Sequence, residues 1–352
     1  MDNNKSIKHP YLSLNEQLKH LEVDKGLIIT DKTFAQIAIQ TFSYYSLING
    51  YKDLFIDTSN SEGERFIPGT TFEMLYQSHW MDLTLNNIIL KYSLIVEKKL
   101  KSILGNHVAH CHSIYESRYL DKKSYSSSAS LRPKFYKLTQ DIESVADDSS
   151  VKHYKESEGN VPPWIYAKAL SFGATINWYN LLRKPHKIMV ISDFLSPINI
   201  KLNDDEKLDF FKRGIKQIHQ FRNMSAHGNR LFSFKLREKN KQLIRHLEKS
   251  QLKEYFLDEH NNATGNDGLF SVIFSIFLFI NDSYVLNNFL AELYGYLLEY
   301  SRAEYNFAGK NVYDLLGINE NFFFNLVKFY NKKFNVDISA KYDMEAIKIS
   351  TH

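Results

Sequence analysis

The segment FRNMSAHGNR, residues 221–230, contains Arg222, Asn223 and His227 within about two helical turns. Histidine is the side chain whose ordinary pKa lets it give and take protons near neutral pH. The planar guanidinium of arginine pairs with phosphate oxygens and stabilises charge on them. Asn223 could orient the histidine or donate a hydrogen bond to a phosphate. These residue types are therefore suited to chemistry at a phosphate group.

The spacing alone does not identify a catalytic site. The chain has 10 arginines and 13 histidines, so an arginine followed after four to six residues by a histidine is expected about once by chance. The pattern occurs twice, as Arg222 with His227 and as Arg213 with His219. On a helix, positions 222 and 227 are also about 140° apart and do not share one face. A purely structural role for these histidines is the alternative at this level.

Basic residues cluster around the same segment. The window 212–250 contains eleven lysines and arginines against two glutamates, a surplus of nine positive charges, whereas the whole chain has a formal net charge of +4. Clustering of this kind is the electrostatic signature of a polyanionic partner. The alternative is a solvated basic helix face.

Several other catalytic classes lack their motifs. The sequence contains no G-x-x-x-x-G-K-[ST], no G-x-G-x-x-G and no G-x-S-x-G, and its carboxylates are too scattered to hold two metal ions. His107, His110, Cys111 and His112 lie together in NHVAHCHS, but no second cluster completes a zinc site. We expect that cluster at a helix end, and we predict no metal and no cofactor.

Composition sets the broad class of protein. With 43% hydrophobic and 14% aromatic residues, the 352-residue chain can bury a sizeable core in one large domain or two smaller ones. A single cysteine excludes a disulfide within the chain and fits a reducing compartment. The first residues lack an apolar signal segment, and the longest apolar run, 268–280, is shorter than the roughly 20 residues of a membrane span. We therefore expect a cytoplasmic protein that does not engage a membrane.

Helical periodicity dominates and predicts a mainly α fold. After a break at Gly228 and Asn229, a charged helix is expected through about residue 257. Three or four apolar helices are expected to follow over 268–333. Polar segments 121–130 and 145–162 are expected to be loops, and only 26–30 and 187–192 could be strands. Capping and stop signals predict further helices after Ser13, after Asp31, over 71–104 before Gly105, from Pro163 to about residue 184, and from Asn203 to His227.

The segment NNATGND, residues 261–267, has the composition of a linker. It divides the chain into one unit over 9–257 and a C-terminal helical region over 268–352. The second unit carries no motif, and we expect it to pack on the first.

Three sequence elements resemble those of the AbiD/AbiF-like abortive infection proteins of bacteria. The first begins near residue 9 and contains LS-x-x-EQ, GL-I-x-D and YY-x-L-x-GY. The second is PPWIYAKALSFGATINWYNLL at 162–182, and the third, FRNMSAHGNRLF, is similar to the family's R-N-x-x-A-H-x-x-R. They occur in the family's order and cover roughly residues 9–235. The matching residues of the first element are Leu12, Ser13, Glu16, Gln17, Gly26, Leu27, Asp31, Tyr44, Tyr45, Leu47, Gly50 and Tyr51.

The resemblance implies a ribonuclease of the higher eukaryote and prokaryote nucleotide-binding (HEPN) superfamily. Its fold would be a HEPN-like helical bundle with an N-terminal helical extension and additional C-terminal helices. Such enzymes cleave RNA without a metal, by attack of a 2′-hydroxyl on the adjacent phosphorus. The resemblance selects Arg222, Asn223 and His227 as the catalytic motif, with Arg222 on phosphate and His227 as general acid and base.

The resemblance also implies a supporting pair, an acid followed four residues later by a base, which Glu97 and Lys101 match. Three positions depart from the family pattern. Arginine is more usual at 101, Ser46 replaces a basic residue, and Lys168 stands where many relatives carry an acid. These departures concern the surroundings of the catalytic motif.

RNA is the partner that the resemblance implies, either as a cellular or phage substrate or as a small noncoding RNA inhibitor. Because the chain has one motif in the right context, we expect a homodimer that completes a shared active site. One alternative is a defence protein that holds a structured small noncoding RNA without cutting it, and another is a protein–protein scaffold in phage defence. The residues expected to contact RNA are Lys212, Arg213, Lys216, Arg230, Lys235 and Arg237.

Overall fold

The computed structural model describes residues 11–59, 63–126, 128–196, 198, 200–232, 234–255, 268–305, 307 and 309–348. Within these ranges the backbone is mainly helical, with three isolated β-bridges and no β-strand, so the predicted mainly α fold is confirmed. The α-helices are α1 (Leu14–Lys19), α2 (Lys32–Phe42), α3 (Phe72–Cys111), α4 (Glu116–Tyr119), α5 (Arg132–Glu143), α6 (Ser149–Glu158), α7 (Pro163–Ala169), α8 (Phe172–Leu181), α9 (Lys184–Leu195), α10 (Asp204–Ala226), α11 (Ile244–Lys249), α12 (Leu269–Phe279), α13 (Ser283–Tyr300), α14 (Val312–Leu316) and α15 (Phe322–Phe334).

Helix α3 is 40 residues long and forms the centre of the fold. Helices α7, α8, α9, α10, α12 and α13 all pack against it. Helix α10, with 23 residues, lies along α3 and begins with a capping box in which Asn203 and Glu206 satisfy each other's backbone amides. These two long helices carry Glu97 and the Arg222 segment, so their packing determines the geometry of the candidate site.

The predicted stop at Gly105 is wrong, because α3 continues to Cys111. Gly105 is instead a point of close approach between helices. A Cβ atom at this position would lie 2.6 Å from the Cα atom of Trp164 in α7. Only a residue without a side chain lets the two backbones come so close. The packing of α7 therefore outweighs the local tendency of glycine to end a helix.

The segment after Pro162 forms two helices rather than the single one predicted. Helix α7 ends at Ala169, and α8 begins after two intervening residues, at Phe172, because the Ser171 hydroxyl accepts a hydrogen bond from the Ala174 amide at 3.2 Å. The predicted loop at 145–162 is also partly wrong. It contains α6, which Asp148 caps and Gly159 ends in a left-handed conformation with a φ of 64°.

Neither predicted strand forms. Residues 187–192 lie within α9, and segment 26–30 makes only one bridge, from Ile28 to Thr71. The expected charged helix to residue 257 is replaced, in the part of that segment that is described, by α11 and short 3₁₀ turns at 238–240 and 253–255. Residues 256–267, which include the predicted linker, lie outside the described ranges, as do residues 9 and 10.

The C-terminal helices pack on the core helices, and the prediction of three or four apolar helices is confirmed. Helix α12 is buried along its length and contacts α10, where the side-chain Oε1 atom of Gln217 accepts hydrogen bonds from the hydroxyls of Ser271 at 2.9 Å and Ser275 at 3.1 Å. Lys333 of α15 donates to the carbonyls of Phe277, Leu278 and Ile280 at the end of α12. Across the described residues, no helix has both the length and the apolar character that a membrane crossing requires.

Candidate functional site

The Arg222 segment forms the last turns of α10 and its C-terminal cap. Arg222 and Asn223 lie in the helix, and His227 is the capping residue, with its amide donating to the Asn223 carbonyl at 3.1 Å. Gly228 follows with a φ of 62°, a left-handed conformation that ends the helix as the sequence predicts. The side chain of His227 is exposed, whereas Arg222 and Asn223 are partly buried against α3.

Glu97 of α3 brings Arg222 and Lys101 together. Its Oε1 atom lies 2.8 Å from Lys101 Nζ, and its Oε2 atom lies 3.2 Å from Arg222 Nε. The second contact lacks hydrogen-bond geometry and is an ion pair only. Glu97 is only 5% exposed, and a buried carboxylate requires such compensation. The structure thus joins the predicted supporting pair to the predicted catalytic motif.

Asn223 connects Arg222 to a second histidine, His219. Arg222 Nη1 donates to Asn223 Oδ1 at 3.2 Å, so the amide nitrogen faces His219 Nε2, also at 3.2 Å. This amide orientation makes Nε2 the acceptor and leaves the imidazole proton on Nδ1. Burial and the nearby Arg222 charge lower the pKa of His219, and the Glu97 charge opposes them. His219 is therefore neutral at pH 7.

Phe172 and Gly173, from the SFG part of the second sequence element, lie next to His219. Phe172 contacts the imidazole edge-on, with ring centroids 5.4 Å apart, and a Cβ atom on Gly173 would lie 3.3 Å from His219 Nε2. The family motif selects Arg222, Asn223 and His227 and does not include His219. Its spacing of three residues from Arg222 and four from Asn223 places all three on one side of α10, and that spacing was the available signal.

The loop after His227 is anchored by Arg230. Arg230 Nη1 donates to the Gly50 carbonyl at 2.8 Å and pairs with Asp53. The guanidinium also lies over the Tyr51 ring, 5.5 Å from its centroid. Gly50 and Tyr51 of the first sequence element thus contact Arg230, the final arginine of the third element, although 180 residues separate Gly50 from Arg230. These contacts hold the backbone next to His227.

Two buried polar residues of α3, Asp82 and Asn86, fix the same loop. Asp82 accepts hydrogen bonds from the Tyr51 hydroxyl at 2.9 Å and the Leu231 amide at 3.1 Å, while Asn86 donates to the Asn229 carbonyl at 3.2 Å. Burial raises the pKa of Asp82 to about 7, although these hydrogen bonds and Arg230 act against the shift. Neither residue was predicted from the sequence. Their spacing of four residues, which places both side chains on one face of α3, was the available signal.

His219 and His227 open onto the same surface groove, which has a volume of about 530 Å³. Its lining is polar and basic, and it includes Asn223 between the two histidines. A groove of this composition suits an anionic ligand with hydrogen-bonding groups rather than an apolar one. The lining residues are Lys216, His219, Gln220, Asn223, Met224, His227, Asn229, Arg237, Lys239 and Asn240.

The sequence model of the Abi-like protein family matches residues 38–233 of this chain, more than half of its length. The chain belongs to the Abi-like protein family. The matched region includes Gly50 and Tyr51, Glu97, α10 and Arg230, so the contacts described above lie within it. Membership of this family indicates a role in abortive-infection defence against phage. Neither the search of curated proteins nor that of solved structures found a match.

The residues predicted to contact RNA occupy different environments in this Abi-like protein. Lys216 and Arg237 line the groove, and Lys212 and Lys235 are exposed. Arg213, like Arg230, makes contacts within the protein. It donates to Asp209 at 2.8 Å and to the carbonyls of Lys239 at 3.2 Å and Lys241 at 2.8 Å. RNA contact by any of these side chains stays a prediction.

The NHVAHCHS cluster lies at the end of α3, as expected. His107 contacts Asp193 at 2.9 Å, and the rings of His112 and His186 are 5.0 Å apart. In the described part of the chain, no three His, Cys, Asp or Glu side chains are grouped so that they could hold a metal ion.

Proposed function

We propose that this Abi-like protein is a metal-independent endoribonuclease of the HEPN type, acting in abortive infection. The observation that supports the proposal best is the connected set Lys101–Glu97–Arg222–Asn223–His219, which ends at the groove that His227 also lines. A phosphate-binding cation beside a groove that carries a proton-transfer group provides the parts that phosphodiester cleavage requires.

The proposed reaction is an attack by a ribose 2′-hydroxyl on the adjacent phosphorus. The new P–O2′ bond forms as the P–O5′ bond breaks, which gives a 2′,3′-cyclic phosphate and a 5′-hydroxyl. One proton leaves the 2′-hydroxyl, and one is delivered to the 5′-oxygen. His227, exposed in the groove, is assigned to proton transfer, and Arg222 is assigned to the non-bridging phosphate oxygens.

The supporting residues would keep Arg222 oriented and positively charged. Glu97 contacts Nε and Asn223 contacts Nη1, while Nη2 has no hydrogen-bond partner among the described residues and is the atom we assign to phosphate. Glu97 alone would neutralise Arg222. Because Lys101 shares the same carboxylate, the three side chains keep a net charge of +1. His219 would position Asn223 and, through it, the guanidinium.

The proposed active unit is a homodimer. Each chain supplies one Arg222–His227 motif, and His227 stands at the end of α10, where a second copy could approach it. Two copies would then provide two proton-transfer groups, one to remove a proton and one to deliver it.

The proposal is tested with protein freed of co-purifying nucleic acid. We expect the wild-type protein to cleave labelled single-stranded RNA, and the Arg222→Ala/His227→Ala variant to bind the same RNA but cleave it at least about 100-fold more slowly. Arg302→Ala/His110→Ala removes the same two residue types at exposed positions and should cleave like the wild type.

A different result would favour the alternative function. Glu97 already occupies one side of Arg222, and such a site could hold RNA without cutting it. If the wild-type protein binds RNA tightly and cleaves none of it, the protein is an RNA-holding member of the defence system, and the nuclease proposal is rejected.

A further inference from the structure

A second groove, of about 600 Å³, lies next to the candidate site and includes residues of α5, α8, α9 and α10. We call it the lysine groove after the basic side chains in its lining. Tyr179 and Leu182 contribute apolar surface to it. Its basic residues are Lys134, Lys184, Lys187, Lys212 and Lys216.

Positive charge in the lysine groove is not balanced by its two acids. Asp205 pairs with Lys184 at 2.7 Å, and Asp209 pairs with Arg213 at 2.8 Å. Within the described ranges, none of the other four lysines has an ion-pair partner. Like charges held close together without counter-charges repel each other, and an anionic ligand would relieve that repulsion.

The fold brings these lysines close enough to influence one another. Burial, followed by the charges of Lys134 and Lys212, lowers the pKa of Lys187. Burial, then Lys212, Lys239 and Lys134 among others, lowers the pKa of Lys216. Lys134 lies in α5 and Lys187 in α9, far from the basic sequence window around α10. Packing of three helices, rather than local sequence, creates the charge cluster.

Lys216 lines both grooves, so the basic surface is continuous. On one side of it lie Lys134, Lys187 and Lys212, and on the other lie His219 and His227. We propose that the lysine groove carries the phosphate backbone of a single-stranded RNA whose adjacent phosphodiester reaches the candidate site. This inference rests on the proposed function. Lysine is a point charge without the planar fork that reads a base edge, so the contact should be independent of sequence.

The test measures RNA binding separately from cleavage, in the Arg222→Ala/His227→Ala background. Lys134→Gln/Lys187→Gln/Lys212→Gln is compared with Lys152→Gln/Lys310→Gln/Lys341→Gln, which removes the same charge at exposed positions elsewhere. Fluorescence anisotropy gives the Kd for a labelled single-stranded RNA over a range of salt concentrations. Each phosphate contact to a single strand contributes roughly 0.7 to the slope of log Kd against log salt, so losing three contacts should lower it by about 2.

The control triple variant should keep the slope of its parent, and Lys134→Arg/Lys187→Arg/Lys212→Arg should keep it too, because it retains the charge. An unchanged slope in the Lys134→Gln/Lys187→Gln/Lys212→Gln variant would overturn the lysine-groove proposal, even if the wild-type protein cleaves RNA. A reduced slope would support the groove, even if the wild-type protein cleaves nothing. If the Lys134→Gln/Lys187→Gln/Lys212→Gln variant loses binding to phosphatidylglycerol vesicles while its RNA binding matches that of the control, the groove serves a lipid surface and the proposal is rejected.

Discussion

Glu97 and Asn223 stand on either side of Arg222 in the candidate site, and each contacts two other members of it. The carboxylate of Glu97 contacts Lys101 and Arg222, and the amide of Asn223 contacts Arg222 and His219. Each contact limits the directions in which the guanidinium can turn. Orientation of this kind can be worth a large factor in rate without any direct contact between the supporting residue and the substrate.

His219 offers a test of positioning at the scale of one residue. His219→Ala removes the acceptor for Asn223 Nδ2, and we expect RNA cleavage to slow by up to about 100-fold. His219→Gln keeps an acceptor but cannot transfer a proton at neutral pH, so it should recover most of the lost rate. The measurement is single-turnover cleavage of one RNA substrate. If His219→Gln is as slow as His219→Ala, then His219 transfers a proton itself and does not merely position Asn223.

Most of the site's polar network could be predicted from the sequence, and a part of it could not. The resemblance to a known family identifies two short patterns, Arg222 with Asn223 and Glu97 with Lys101. The structure joins these two patterns. His219 could not be selected by that route, because the family motif does not include it, and only its spacing from Arg222 and Asn223 on α10 indicated it. The contact of Arg230 with Gly50 could not be predicted either, since it joins segments that only the packing of α3 and α10 brings together.

At the scale of secondary-structure elements, caps were predictable and long-range packing was not. Ser13, Asp31 and Asn203 each cap a helix, as the sequence indicates, because capping depends on neighbouring backbone amides. Gly105 was misassigned because its role depends on α7, about 60 residues further along the chain. Residues 187–192 favour a strand by composition, yet packing on α3 and α10 makes them part of a helix.

Gly105 should be intolerant of a side chain. Gly105→Ala would force apart α3 and α7, and we expect it to lower the free energy of unfolding by about 2–3 kcal/mol. Gly295→Ala is the matched control, since this exposed glycine of α13 has no neighbouring atom within 4 Å of a new Cβ. The control should raise stability by about 0.5–1 kcal/mol. Urea denaturation of both variants measures the difference, and equal effects would refute the close approach of α7.

His112, at the end of α3, should make stability depend on pH. Burial, then the charges of His186 and Arg183, lowers the pKa of His112 to about 4. A histidine with a lowered pKa in the folded protein stabilises it above pH 6.5, and that contribution is lost as the pH falls towards 4. Its Nε2 atom is buried and has no hydrogen-bond partner in the described part of the chain, so an apolar ring should be tolerated there.

We therefore expect His112→Phe to reduce the loss of unfolding free energy between pH 7 and pH 5. The expected reduction is up to about 1 kcal/mol, after allowing for the partial exposure of the side chain. Urea denaturation at the two pH values provides the measurement, and His110→Phe, at an exposed position of the same helix, is the control. A wild-type pH dependence in His112→Phe would show that other groups cause the loss.

The whole molecule combines the family region with C-terminal helices that the family match does not reach. Helix α12 lies against α3 and α10, the two helices that carry the site, and α13 lies against α3. The C-terminal helices therefore support the geometry of Arg222 and Glu97 indirectly, through the packing of α12 on α10. Hydrophobic composition predicted these helices, but nothing in their sequence indicated which surface of the core they cover.

Dimerisation is the prediction that concerns the molecule as a whole. We expect light scattering to give twice the mass of the chain. When wild-type protein is mixed with an equal amount of Arg222→Ala/His227→Ala protein and allowed to exchange subunits, cleavage should fall to about half, because half of the wild-type subunits would then lie in mixed dimers that lack one of the two motifs. A monomer that cleaves RNA with undiminished activity on dilution would contradict the shared site.

The most direct test of the central claim is the chemistry of the RNA ends produced in the presence of EDTA. Wild-type protein, freed of nucleic acid and incubated with a defined single-stranded RNA and excess chelator, should yield fragments that end in a 2′,3′-cyclic phosphate and begin with a 5′-hydroxyl. Mass spectrometry of the fragments identifies both ends, and the Arg222→Ala/His227→Ala variant should give neither. Cleavage that stops when EDTA is added, or fragments that carry a 5′-phosphate, would contradict the mechanism assigned to Arg222 and His227.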